Sequence, residues 1–169
     1  MKQEIILDKA LFIIDVQTDF IKDNSVLPSK IREYIDNRDY PLIVISYYKN
    51  TTNTAFYKYL DYREGLSNNS DIIVPELRDI TQKHTIIEKT TYSIFKNESI
   101  IPLLNRHKIN EIDFCGTDTD ACVLASMFEA FDLGYKSNLL NELTESSSSD
   151  KRMHDGAINI IKRNIDPNL

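Results

Sequence analysis

The feature that most constrains this chain is a series of short apolar runs separated by longer amphipathic stretches. "ALFII" (Ala10 to Ile14), "PLIVIS" (Pro41 to Ser46), "HTIIEK" (His84 to Lys89), "EIDFCG" (Glu111 to Gly116) and "KSNLLN" (Lys136 to Asn141) read as strands. A half-exposed strand alternates apolar and polar residues, whereas a strand apolar along its length is covered on both faces. Between these runs, helical spacing is predicted over Ser29 to Asn37, Val74 to Gln82, Ser99 to His107, Asp120 to Leu133 and Lys151 to Asn164. Ser29 reads as an N-cap and Gly134 as a C-cap. Strands alternating with helices predict an α/β architecture, a mostly parallel sheet with helices on both faces. Active sites of such sheets lie beyond the carboxyl ends of the strands.

A length of 169 residues predicts one domain, residues 1–169, with a sizeable core. The net charge of −6 argues against general binding to nucleic acid or to anionic membranes, both of which need clustered positive charge. No apolar run reaches the length of a membrane span. Glu4, Asp8 and Lys9 interrupt any signal-peptide core in "MKQEIILDKALFIIDVQ", so a cytoplasmic location is expected. Two cysteines do not make a disulfide framework and are expected to be thiols. "ESSSSD" (Glu145 to Asp150) reads as a loop ending in a helix N-cap. With four glycines and no Gly-rich loop after the first strand, a phosphate-binding domain is disfavoured.

Three reactive side chains fall at the predicted strand ends. Asp15 follows the first strand, Lys89 ends the third, and Cys122 opens the helix behind the fourth. Each has an ordinary reading alone: a turn aspartate, a solvated edge lysine, a small buried hydrophobe. Together they supply what a thiol nucleophile needs. A helix N-terminus and an ammonium favour the thiolate, and a carboxylate can take its proton and pass it to a leaving group. Backbone amides at the helix start can receive the oxyanion formed on attack. Cys115 lies within a strand, where a structural role is expected.

The order of motifs resembles the isochorismatase-like cysteine hydrolases, relatives of nicotinamidase and N-carbamoylsarcosine amidase. "ALFIIDVQTDF" is similar to the family's first strand and Asp, "EKTTYSIF" to its lysine motif, and "CGTDTDACV" to its nucleophile motif. "AFDLGYKSNLLNELTESSS" and then His154 follow its downstream pattern. The resemblance spans nearly the whole chain. It implies a Rossmann-like three-layer sandwich with five or six strands and a catalytic triad of Asp15, Lys89 and Cys122. It further implies a cis peptide between Thr117 and Asp118, with the backbone N–H groups of Asp118 and Cys122 as the oxyanion hole. The Asp118 carboxylate is expected to face solvent or make a local cap. Cys122 is expected to have a lowered pKa, with Lys89 and the helix dipole outweighing Asp15.

The chain also departs from its relatives. Nicotinamidases carry an Asp-x-His and a further His after the second strand, which bind a metal. The corresponding "SYYKNTTNTAFYKYLDY" has no histidine, and His84, His107 and His154 are scattered. No metal and no cofactor are therefore expected. True isochorismatases typically lack the cysteine, so Cys122 points to amide or related C–N chemistry through a thioester. The alternatives are an isochorismatase-type hydrolase and an idle triad kept in a binding or assembly protein. A small, apolar or aromatic substrate is expected against Phe20, Tyr47 and Tyr92, with Tyr48 nearby and Phe95 in the core; Gln17 is a candidate for orienting Asp15 or the substrate. Only "IDPNL" follows the last helix, where relatives add a sixth strand, so one sheet edge is expected to be covered by another subunit of a homo-oligomer.

Overall fold

The structure, a computed structural model, describes residues 4–5, 8–66 and 72–169. Its centre is a five-stranded, all-parallel sheet. In chain order the elements are β1 (Glu4–Ile5), β2 (Lys9–Ile14), α1 (Leu27–Asp36), β3 (Arg38–Asp39), β4 (Leu42–Tyr48) and α2 (Ala55–Leu60). They continue with β5 (Thr85–Lys89), α3 (Ile100–Arg106), β6 (Glu111–Gly116), α4 (Leu124–Asp132), β7 (Lys136–Thr144) and α5 (Lys151–Asn164). The strand order is β5-β4-β2-β6-β7, while β1 and β3 pair separately. The chain builds outward from β2 through β4 to β5, then returns to the other side of β2 with β6. The order therefore reverses between β2 and β6, and a crevice opens beyond their carboxyl ends.

Strand periodicity divides the core in two. Ala10, Phe12 and Ile14 of β2 join Ile112 and Phe114 of β6 on one face, packed against α3, α4 and α5 through Leu104, Met127 and Ile161. Leu11 and Ile13 join Ile43, Ile45 and Cys115 on the other face, under Leu27, Ile31 and Ile35 of α1. Both faces of the central strands are thus dry, which explains their continuous apolar sequence. Among the described residues, no helix is long and apolar enough to cross a membrane.

Several local expectations need correction. Helix α1 begins at Leu27, ahead of Ser29; Pro28 occupies its first turn, and Ser25 Oγ accepts from the Leu27 N–H at 3.0 Å. The helix predicted over Val74 to Gln82 is instead two 3₁₀ turns, Pro75–Leu77 and Asp79–Gln82. Their buried residues, Leu77 and Ile80, are three apart, the period of a 3₁₀ turn. The last strand continues beyond Asn141 to Thr144. Helix α2 carried no sequence signal, because none of its residues is buried and no apolar stripe results. Its start is fixed by Thr54, whose Oγ1 accepts from Tyr57 N at 3.2 Å. Gly134 has φ +91° and its N–H donates to Phe131 O at 2.9 Å, ending α4 as predicted.

Cys115 is fully buried, and burial followed by the nearby Asp113 pushes its thiol pKa up. Replacing it with serine puts a hydroxyl among apolar side chains. Cys115→Ser is expected to lose about 1–3 kcal/mol of stability, read as a lower urea midpoint at unchanged m-value, while leaving any Cys122-dependent activity largely intact.

Candidate active site

The crevice is organised by two backbone turns. After β2 the chain turns sharply at Asp15, with φ +48°. After β6 it turns at Gly116, with φ +111°, where a Cβ atom would run into the backbone of Ile14. Glycine is the residue that can pair with Ile14 this closely while adopting that φ. The Thr117 N–H then donates to Ile14 O at 2.8 Å, and Thr117 Oγ1 donates to Asp15 O at 2.7 Å. These bonds lock the two turns together. The peptide between Thr117 and Asp118 is cis, as the family resemblance implied.

Asp15, Lys89 and Cys122 meet between these turns. Asp15 is fully buried and Lys89 is 4% exposed. Lys89 Nζ lies 2.6 Å from Asp15 Oδ2 and donates to Cys122 Sγ at 3.2 Å. The ammonium also donates to Thr91 O at 2.8 Å. The other Asp15 oxygen, Oδ1, accepts from Ser46 Oγ at 2.7 Å. Ser46 is buried at the fifth position of β4, and its role was missed in the sequence, where a serine near a strand end carries no special signal.

Cys122 does not open a regular α-helix. A π-helical turn, Thr119–Val123, precedes α4. Such turns widen the helix by one residue and recur at functional sites. Here the turn presents the sulfur to the crevice, while its neighbour Val123 is buried in the core. The two cysteines therefore serve opposite faces of the sheet.

Electrostatics in this knot differ from the sequence expectation in one respect. Burial opposes the charge on Lys89, but Asp15 and Cys122 outweigh that loss, and its pKa is raised. Lys89 is therefore charged. The Cys122 thiol was expected to be acidified. Instead burial, then Asp15, push its pKa up, against the opposing effect of Lys89. The ammonium is already paired with the carboxylate, so little of its field remains to stabilise a thiolate. The direction of the shift favours the thiol form beside the Lys89–Asp15 pair.

Asp118 borders the crevice, but its carboxylate is turned to the serine loop. Oδ1 accepts from Ser147 N at 2.8 Å and Oδ2 from Ser147 Oγ at 2.7 Å. Burial raises its pKa against these bonds. The local cap is thus present, and the backbone rather than the carboxylate is left to serve the crevice.

Above Cys122 lies a cavity of about 150 Å³. Its floor includes Asp15, Thr117, Asp118 and Cys122, and its walls are Phe20, Tyr48, Phe56, Leu60, Tyr62 and Tyr92. Phe20 and Tyr92 are placed as predicted. Tyr47 is not: strand alternation sends it to the other side, where its OH donates to Glu88 Oε2 at 2.8 Å, and Tyr48 takes the inward position. Gln17 also stays outside the cavity. Its Oε1 accepts from Tyr48 N at 2.6 Å and its Nε2 donates to Tyr48 O at 3.0 Å, tying the Asp15 turn to β4. Phe56 and Leu60, on α2, and Tyr62, just beyond it, were missed. The rings touch in series, Tyr48 to Phe56 at 4.9 Å and Phe56 to Tyr92 at 4.5 Å between centroids. Burial first, with nearby anionic groups adding, raises the Tyr62 phenol and pushes that of Tyr48 up to about 12, so both stay protonated at neutral pH.

The metal of nicotinamidase-type relatives does not fit this donor set. The described segment after β4 has no histidine, its Asp61 carboxylate pairs with Arg63, and Asn50 is spent on Tyr62 O and Thr54. Among the described residues, no group of three or more His, Cys, Asp or Glu side chains is arranged to hold a metal ion.

The chain resembles known proteins in sequence and in fold. The chain is 26% identical over 144 residues to isochorismatase family protein 1A of Dictyostelium discoideum, an alignment covering 85% of this chain and 66% of that protein. It is 28% identical over 145 residues to the 1B protein of the same organism, with the same coverage. The chain thus spans just under two thirds of these relatives' length. Among solved structures, an isochorismatase-like hydrolase from Alkaliphilus metalliredigens superposes with a TM-score of 0.80 at 19% identity, covering 94% of this chain and 92% of that one. Yeast nicotinamidase gives 0.78 at 21% identity, covering 93% and 97%. The nicotinamidase from Bacillus subtilis gives 0.77 at 22% identity, covering 94% and 96%. At such identities these structures attest the shared fold. The family model of the isochorismatase domain matches residues 9–166, and the chain belongs to the isochorismatase family.

Proposed function

We propose that this protein hydrolyses a small amide or a related C–N bond through a thioester on Cys122, without a metal. The reading is carried by one observation: a single buried ammonium contacts both Asp15 and the Cys122 sulfur at the floor of an aromatic cavity. On substrate binding, the thiol passes its proton to Asp15 as sulfur attacks the carbonyl carbon. The tetrahedral oxyanion is received by the backbone N–H groups of Asp118 and Cys122. Asp15 returns the proton to the departing nitrogen, and the C–N bond breaks to leave an acyl-thioester. Asp15 then takes a proton from water, which attacks the thioester and releases the acid and the thiol. Lys89 remains charged throughout, compensating the negative charge that moves between carboxylate and sulfur. These steps are assigned to one domain spanning residues 1–169.

The cavity limits the substrate. About 150 Å³ is the size of an engineered apolar cavity that holds benzene. One planar ring, or an aliphatic group of similar bulk, fits between Phe20, Tyr48 and Tyr92. The neutral phenols offer hydrogen bonds and the walls offer no cation, so an uncharged acyl group is favoured over a carboxylate-bearing one.

A screen of primary amides and carbamoyl compounds for ammonia release tests this reading. Cys122→Ala is expected to abolish turnover with the fold intact. Asp15→Asn and Lys89→Ala are each expected to lose several orders of magnitude in rate, since such groups act as a unit. A trapped acyl adduct should appear on Cys122 by intact mass. Full turnover by Cys122→Ala would eliminate the thioester route.

Chelation offers a separate check. Because the donor set does not suit a metal, prolonged dialysis against a chelator should leave the rate unchanged. Loss of rate that zinc or iron restores would show that metal chemistry contributes.

The raised thiol pKa predicts how Cys122 meets a small alkylating agent. A raised pKa means that thiolate forms only as the pH climbs past the usual thiol range, about 8.5 for a free cysteine. The alkylation rate should therefore rise at higher pH than for a free thiol. Asp15→Asn removes the repulsive carboxylate and should move the curve to lower pH; Lys89→Ala removes the attractive ammonium and should move it higher. A wild-type midpoint below the free-thiol value would show that Lys89 outweighs burial and Asp15 together.

A further inference from the structure

We infer that His154 is a positioning residue for the nucleophile turn, acting through a one-way chain of hydrogen bonds that ends on the Gly116 carbonyl. Four groups form the chain. His154 Nδ1 is 2.9 Å from Thr119 Oγ1, Thr119 Oγ1 is 2.8 Å from Thr144 Oγ1, and Thr144 Oγ1 donates to Gly116 O at 2.9 Å. Both threonine side chains are buried.

Counting protons fixes the direction. A hydroxyl has one hydrogen to give. Thr144 gives its hydrogen to the Gly116 carbonyl, which has none to return. Thr144 must therefore accept from Thr119, and Thr119 has then used its own hydrogen. What Thr119 receives can come only from His154, so His154 carries its proton on Nδ1. With the hydrogen on Nε2 instead, two lone pairs would face each other at one of the three contacts: His154–Thr119, Thr119–Thr144 or Thr144–Gly116 O.

The ends of the chain give it purpose. Gly116, Thr117 and Asp118 form the turn from which the proposed oxyanion groups emerge, and Cys122 follows in the π-helical turn that begins at Thr119. Thr119 is also held by its backbone, its N–H donating to Glu145 O at 3.0 Å, while Glu145 N donates to Gly116 O at 3.2 Å. His154 sits in the first turns of α5, whose start is set by Asp150 capping Arg152 N at 3.0 Å. The imidazole thereby ties the last helix to the turn carrying the nucleophile, without touching the cavity.

Two measurements test this. Long-range proton–nitrogen NMR on histidine-labelled protein, at a pH where the ring is neutral, should show His154 protonated at Nδ1, its signal assigned by its loss in His154→Asn. In Thr119→Val this bias should disappear. A ring protonated at Nε2 in the wild type would overturn the chain. The second measurement concerns the turn. In His154→Ala the Thr119 amide should exchange with solvent faster, and kcat for any substrate whose turnover needs Cys122 should fall roughly tenfold, the scale of one hydrogen bond, at nearly unchanged KM. His154→Asn, which offers an N–H near the place of Nδ1, should restore both. Unchanged exchange in His154→Ala would reduce His154 to a bystander. The effect on kcat rests on the proposed role of Cys122; the tautomer and exchange readouts do not, so failure of the hydrolase reading and failure of this chain are told apart.

Discussion

The structure turns on one buried ion pair, Lys89 with Asp15. Taking two charges out of water costs several kcal/mol per ion, which mutual attraction offsets only when the remaining hydrogen-bonding capacity is also met. Here Asp15 Oδ1 has Ser46, and the ammonium has Thr91 O and the Cys122 sulfur. The groups that satisfy the pair come from β4, from the loop after β5 and from the turn before α4. The pair can be formed only when these segments are all in place. It therefore reports the register of β4, β2 and β6 as much as it prepares chemistry.

Holding the pair requires precise turns on both sides of it, and these rest on the unusual length of β7. The strand runs nine residues, and its pairing with β6 shifts between Phe114 and Gly116, so that Thr144 faces Gly116. That shift delivers Thr144 and Glu145 to the nucleophile turn, and the serine loop behind them delivers Ser147 to Asp118. An edge strand, often the least constrained part of a sheet, thus becomes the support of the proposed site. The low-complexity patch "ESSSSD" reads differently in this light. Ser147 holds a carboxylate, the Ser148 carbonyl accepts from Lys22 Nζ at 2.9 Å, and Asp150 caps α5.

What the sequence disclosed and what it hid follow from this arrangement. Asp15, Lys89 and Cys122 were legible because each ends or follows an apolar run, and strand ends of a parallel sheet converge on one edge. Phe20 and Tyr92 were legible for the same reason. Tyr47 was misplaced because the strand was expected to end at Ser46; two further residues of β4 restore alternation and turn Tyr48 inward. The wall from α2 was hidden, since a surface helix without a buried stripe has no periodic signature. Ser46 and the Thr119–Thr144 contact were hidden for a deeper reason: both join residues distant in the chain, and hydroxyls serve equally well in caps, turns and cores. The lowered thiol pKa was expected because Lys89 and the helix dipole were set against Asp15 alone; burial, the largest effect on this thiol, cannot be read from the charges at the strand ends.

The sharing of one ammonium between two partners bears on how a site of this kind works. An ammonium that fully neutralised a thiolate would leave Asp15 protonated and unable to act as a base. An ammonium fully committed to Asp15 would leave the thiol inert. With contacts of 2.6 Å to the carboxylate and 3.2 Å to the sulfur, Lys89 favours the first partner without releasing the second. In the proposed reaction, moving the proton from sulfur to Asp15 exchanges one ion pair for another around the same ammonium. No charge is created in the dry interior, and little reorganisation is needed, because each negative form is already within the ammonium's reach. In the proposed reaction the thiol keeps its proton until a carbonyl in the cavity draws the sulfur's electrons and tips the exchange. The aromatic walls bear on the same exchange, since Asp15 and Lys89 beneath them are buried and a pair held away from water keeps more of its mutual attraction.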